Sequence, residues 1–156
     1  MTPPHREVWD VELRPHRILL FVYTAAFLIA AVHIVVGLLL KMNSSGVIFQ
    51  TSDQVAMVIL GLVIAGGVLL FARPRLRVGP AGLSVRNLLG NRLIRWSDTV
   101  GVSFPASSRW ARIDLPDDEY VPVMAIQAVD KDRAVAAMEA VRRLVKVYRP
   151  DLATGI

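Results

Sequence analysis

Cysteine is missing from all 156 residues, which excludes disulfides, thiolate nucleophiles and thiolate-bound metals. Histidine is scarce: His5 and His16 lie in the N-terminal flank and His33 in a long apolar run, so the C-terminal half has no imidazole to act as general base. The nucleophile elbow G-x-S-x-G, the P-loop, the H-E-x-x-H helix and the dinucleotide fingerprint are absent as well. Asp117, Asp118 and Glu119 are adjacent acids, a pattern more typical of a solvated hairpin tip than of a cation site. The expectation is a non-enzyme with no cofactor and no resident metal. Basic residues are interspersed with acids rather than with stacking aromatics, so nucleic acid is not an expected partner either.

What is abundant is apolar sequence, concentrated before residue 73. Residues 18–40 are uncharged for twenty-three positions, and residues 55–72 for eighteen. About twenty apolar residues cross the ~30 Å hydrocarbon core as a helix, so both runs are expected to span a membrane. The first is too long for the apolar part of a cleaved signal peptide, and no A-x-A-like site follows it. Asp53 suits the start of the second helix, Arg73 and Pro74 its end, and Lys41 and Arg73 can snorkel to headgroups.

Arg6, Arg14 and Arg17 precede the first run and Arg73, Arg75 and Arg77 follow the second, whereas the connecting loop carries only Lys41. Retention of positive flanks predicts a multi-pass protein of the cytoplasmic membrane with both termini inside. Val47, Ile48 and Phe49 of the loop are expected to dip into the outer interface. Within the runs, His33 is expected to be satisfied by a neighbouring carbonyl rather than to relay protons. Gly61, Ala65 and Gly66 offer a small-residue face for helix packing, first against the partner helix of the hairpin and secondarily against another chain.

The net charge of +5 comes from the C-terminal part, where residues 73–156 hold fourteen basic and nine acidic side chains. Beyond Pro74, short alternating runs broken by turn residues predict antiparallel strands at 75–79, 82–88, 91–96, 99–104, 109–115 and 119–126. In the fourth, Val100, Val102 and Phe104 are expected to share one buried face. From about residue 130 to 148, Ala134, Met138, Val141, Val145 and Tyr148 recur at helical spacing, with Asp130 or Asp132 suiting the start and Pro150 ending the helix. The fold class is α+β: a flank over 1–17, a transmembrane hairpin over 18–72, a domain over 73–149 and a tail over 150–156.

Val78-Gly79-Pro80-Ala81-Gly82-Leu83-Ser84-Val85-Arg86-Asn87, then Arg95-Trp96-Ser97-Asp98, then Val123-Met124-Ala125-Ile126-Gln127 and the terminal helix carry a family likeness. This stretch of about 70 residues resembles the bacterial pleckstrin-homology-like (PH-like) domains of small actinobacterial membrane proteins and of the low-molecular-weight protein antigen 6 group. The resemblance implies a bent antiparallel β-sandwich or barrel capped by a C-terminal α-helix, usually with seven strands where six are counted here. In phosphoinositide-binding relatives the first hairpin loop is basic. Here that loop, taken as Gly79-Pro80-Ala81-Gly82, has no basic residue, which argues against specific phosphoinositide recognition.

Arg73, Arg75, Arg77, Arg86, Arg92 and Arg95 remain candidates for contact with anionic membrane lipid. Trp96 is expected in the core with its indole N–H on a turn carbonyl, and Trp110 at the surface. Trp9, with Val8 and Val11, is expected in an amphipathic segment on the inner membrane face. The expected role is a membrane-anchored binding or scaffolding module acting through lipid or protein contacts. The alternative is an accessory subunit of a transport or envelope-synthesis complex, with a protein partner or a second copy in the membrane.

Overall fold

The computed structural model describes residues 8–39 and 50–153; Arg6, Lys41 and the trio Val47, Ile48 and Phe49 lie outside the described residues. The chain forms two compact units, residues 18–72 and a second unit built from residues 1–17 together with 73–156.

The first unit is the helical hairpin. Helix α1 covers Arg17–Leu39 and α2 covers Thr51–Leu69, continued by one 3-10 turn at Leu70–Ala72. Both are long and apolar enough to cross a membrane, and large side chains such as Leu20, Phe27 and Val63 are about two-thirds exposed within the chain. Helix α2 begins four residues before the expected span, which puts Asp53 inside its first turn. There the carboxylate accepts the Gln50 backbone N–H at 2.8 Å, satisfying a donor that no helical carbonyl reaches.

Gly61 and Ala65 are buried, and Gly61 lies against α1, where a Cβ on it would sit 2.3 Å from that of His33. Only a glycine admits the imidazole there. His33 Nδ1 lies 2.8 Å from the Ile29 carbonyl oxygen, an acceptor, which puts the proton on Nδ1. Gly66 departs from the expected packing: it is exposed, and a Cβ there would meet nothing within 4 Å.

The second unit is a β-sandwich with a covering helix. Its strands are β1 (Val11–Leu13), β2 (Arg75–Gly79), β3 (Gly82–Arg86), β4 (Asn91–Ile94), β5 (Gly101–Ser103), β6 (Trp110–Asp114) and β7 (Tyr120–Gln127). They form antiparallel sheets in the order β1-β2-β3-β4 and β5-β6-β7. Helix α3 (Asp132–Tyr148) packs Ala134, Met138 and Val141 onto Leu76, Leu83, Ile113, Val123 and Ile126, all 5% exposed or less except Ala134 at 6%. Each fully buried Leu or Ile contributes ~1.5–3 kcal/mol, so this shared core holds both sheets to the helix.

Strand β1 brings the strands among the described residues to seven, the number the resemblance implies, and it comes from the flank that precedes the helices. Its Val11, Glu12 and Leu13 face Val78, Arg77 and Leu76 of β2. The domain is therefore interrupted in sequence: both apolar helices are inserted between its first and second strands. Trp9 precedes this strand and lies against Gly79 of β2, rather than in an amphipathic segment with Val8 and Val11. Pro15 is fully buried, and the buried carboxylate of Asp130 accepts the backbone N–H groups of His16 and Arg17 at 3.1 and 2.9 Å. Asp130 thus serves the flank rather than opening α3, which starts two residues later.

Other boundaries shift for local reasons. Val100 is 51% exposed while Thr99 is buried, because a 3-10 turn at Trp96–Asp98 precedes them and moves the strand start to Gly101. Thr99 Oγ1 caps this turn by donating to the Arg95 carbonyl at 3.0 Å. Pro150 opens a short helix, α4 (Pro150–Ala153), instead of ending the fold, and Arg149 donates to the Trp96 and Thr99 carbonyls.

Candidate functional site

Alternation along β2 buries Leu76 and Val78 and turns Arg75 and Arg77 to the opposite face. On β3, Arg86 sits directly across from Arg75, and Ser84 across from Arg77. Two arginines directly opposed on an antiparallel pair repel each other, an arrangement a sheet does not need for its own stability. Arg73, just before β2, joins them. Together with the β3–β4 hairpin these side chains line a concavity of about 370 Å³.

The electrostatics follow from the crowding. Partial desolvation, then Arg73, Arg75 and Arg77, together push the Arg86 guanidinium below its ordinary value. Glu12 on β1 offsets part of the charge. It receives Arg77 Nε at 2.7 Å and Arg14 Nη2 at 2.7 Å, with Arg75 Nη1 at 3.7 Å. Hydrogen bonds from Arg14 and Arg77 hold its carboxyl below the usual glutamate range. Arg73 and Arg86 have no acid within 4 Å among the described residues, so the cleft retains unbalanced positive charge. Forked donors with spare N–H groups suit phosphate oxygens.

The six candidate arginines thus divide. Arg73, Arg75, Arg77 and Arg86 converge. Arg92 faces Val85 in the register, one step out of phase with the outward row, and lies with Asp98, Asp117 and Glu119 on another part of the surface. Arg95 is exposed beside the 3-10 turn, outside the cleft. Trp110 is half-buried at the start of β6 rather than exposed, its backbone N–H and carbonyl both bonded to the Ser108 hydroxyl. Trp96 meets its expectation: its Nε1 donates to the Gly79 carbonyl at 2.9 Å and its ring stacks on Tyr148.

Two contributors escaped sequence reasoning. Asn87 closes the β3–β4 hairpin: its backbone N–H reaches the Gly90 carbonyl, and its side chain donates to the Pro122 carbonyl and accepts the Met124 N–H. Glu12 could not be paired with Arg77 before β1 was known. The identity of the first loop also changes. Gly79–Gly82 connects β2 to β3, a turn so tight that Gly82 adopts φ 129° and a Cβ there would strike the Ile94 carbonyl oxygen at 2.1 Å. The β1–β2 connection is the one carrying the helices, and its domain-side ends hold Arg14, Arg73 and Arg75. The bare turn at residues 79–82 therefore says nothing against lipid recognition at the first loop.

Seven strands in two antiparallel sheets covered by a C-terminal helix define a PH-like domain, and residues 73–144 match the family model described as a bacterial PH domain. That stretch belongs to this family. The chain is 74% identical over 144 residues to the uncharacterized protein Rv1417 of Mycobacterium tuberculosis and, equally, to the uncharacterized protein Mb1452 of Mycobacterium bovis, covering 92% of this chain and 94% of each relative. No solved structure matches it.

Proposed function

We propose that this protein is a membrane-anchored, non-enzymatic PH-like module whose arginine cleft holds the phosphate groups of anionic lipids at the inner face of the cytoplasmic membrane. The observation that carries the reading is the convergence of Arg73, Arg75, Arg77 and Arg86 on one concavity, with Arg75 and Arg86 opposed across strands. Chain length supports it. Two residues separate Ala72 from Arg75, so even an extended chain keeps Arg75 within ~10 Å of the end of the second apolar helix. That is about one Debye length at physiological salt, close enough for a surface potential to be felt.

Anchoring by a hairpin with both termini inside is supported by the interrupted domain. Strands β1 and β2 pair with each other although both helices lie between them, which requires the flanks to share one side of any membrane the helices cross. The excess of arginine on those flanks selects the cytoplasmic side.

The test is lipid retention. Full-length protein extracted in mild detergent and analysed by native mass spectrometry is expected to keep phosphatidylglycerol in preference to phosphatidylcholine. Replacing Arg73, Arg75 and Arg86 by Ala is expected to lower that retention about tenfold or more, as loss of several charge-assisted bonds implies. Equal retention of both lipids by both proteins would refute the reading. A second reading, an accessory subunit of a larger membrane complex, draws on the open face of α2 at Gly66 and Gly67, where an added Cβ would meet nothing within 4 Å. Those glycines leave room for a close-packed helix from a second copy or another protein.

A further inference from the structure

The β3–β4 hairpin carries Leu88 and Leu89 at its tip, positions where Asn, Gly or Asp would ordinarily satisfy the turn. Leu89 is 92% exposed, the most exposed large apolar side chain among the described residues, and Leu88 beside it is half-buried. Single exposed leucines are common and mean little alone. This one is held in place: Asn87 closes the hairpin through Gly90 and ties its base to β7 through Pro122 and Met124. The fold therefore keeps an apolar tip projecting into solvent when a looser hairpin could fold it back. The same two leucines form the rim of the cleft that Arg73, Arg75 and Arg86 line. Cations beside a projecting apolar tip match a bilayer interface, which presents phosphates outermost and acyl chains just beneath them.

We propose that the Leu88-Leu89 tip inserts into the lipid interface while the neighbouring arginines engage headgroup phosphates, so that the domain lies against the membrane by a second contact besides its helices. Arg73, one of the residues that line the cleft, follows the last residue of the second apolar helix directly. The proposal rests on the anionic-lipid reading of the cleft and adds a depth and a residue to it. Burial of the Leu89 side chain and of the part of Leu88 left exposed is the apolar share; the arginines supply dependence on lipid charge.

Because the chain has no cysteine, Leu89→Cys in the full-length protein gives one labelling site for an environment-sensitive fluorophore. Leu88→Cys gives a second that leaves Leu89 in place, and Val147→Cys, 68% exposed on α3, serves as the aqueous reference. Each is reconstituted into vesicles of phosphatidylcholine alone or mixed with phosphatidylglycerol, and quenched by nitroxide-labelled lipid or by aqueous iodide. In the anionic vesicles, labels at 88 and 89 are expected to be quenched about twofold or more better by nitroxide lipid than by iodide, with the reverse at 147. Replacing Arg73, Arg75 and Arg86 by Ala is expected to return labels 88 and 89 to the iodide-sensitive state. Labels that stay in lipid in neutral vesicles and in the arginine variant would support insertion while overturning the headgroup role of the cleft. Labels open to iodide everywhere, in protein that still retains phosphatidylglycerol, would overturn insertion and leave the cleft reading standing. Labels shielded from both quenchers would mean that a protein surface covers the tip, which also overturns it.

Discussion

Glu12 lies against Arg14, Arg75 and Arg77, and it does two opposed things. It fastens β1 to β2 across a short edge pairing, and it removes positive charge from the cleft. Its carboxyl is held below the ordinary 4.5 by Arg14 and then Arg77. A depressed carboxylate contributes stability that is present above the unfolded value and lost as pH falls through the folded one. Thermal unfolding in detergent should therefore fall in midpoint as pH drops below about 4.5. Glu12→Gln should remove Glu12's share of that fall. At neutral pH the variant should lose no more than about 1 kcal/mol, since the pair is partly exposed, yet retain anionic lipid better than the parent. A variant that is both less stable and worse at holding lipid would show that Glu12 shapes the cleft instead of damping it.

At the scale of elements, what was legible depended on how far each partner lies along the chain. The strands from residue 75 onward, the helix ending at Tyr148 and both apolar helices follow from alternation, helical spacing and uncharged length. Strand β1 does not: Val-Glu-Leu is three residues long, and its partner is more than sixty positions away, beyond two helices. Missing it misplaced the first loop and hid Glu12. Four of the six candidate arginines lie together on one face, but telling them from the other two needed the register, since a one-residue step sends Arg92 away from Arg86. Asn87 and the projecting Leu89 carried no periodic signal at all.

The helical hairpin allows a sharper check at this scale. Gly61→Leu forces atoms into the space of the His33 side chain and should destabilise the pair of helices by ~1–3 kcal/mol, seen as a lower midpoint of thermal aggregation in mild detergent. Gly66→Leu, pointing into open space, should change the stability of the helix pair by no more than about 0.5 kcal/mol and leave that midpoint close to the parent's. If Gly66→Leu instead changes the size of the particle in detergent, the accessory-subunit reading gains the interface it needs.

For the molecule as a whole, the consequence of an interrupted domain is topological. A PH-like domain whose first strand precedes a pair of apolar helices and whose other strands follow it folds only if both flanks lie in one compartment. The roles proposed for the cleft and the tip, and the proposed inner-membrane location, all depend on that condition. Cysteine-accessibility mapping tests it most directly, because every introduced thiol is unique in this chain. With cysteines placed singly at Val8, Ser45 and Val147, a membrane-impermeant maleimide applied to intact cells with permeable outer layers should label position 45 alone. Inverted membrane vesicles should give the opposite pattern, labelling 8 and 147 and sparing 45. Labelling of 8 and 147 from opposite sides would contradict the interrupted domain and everything built on it.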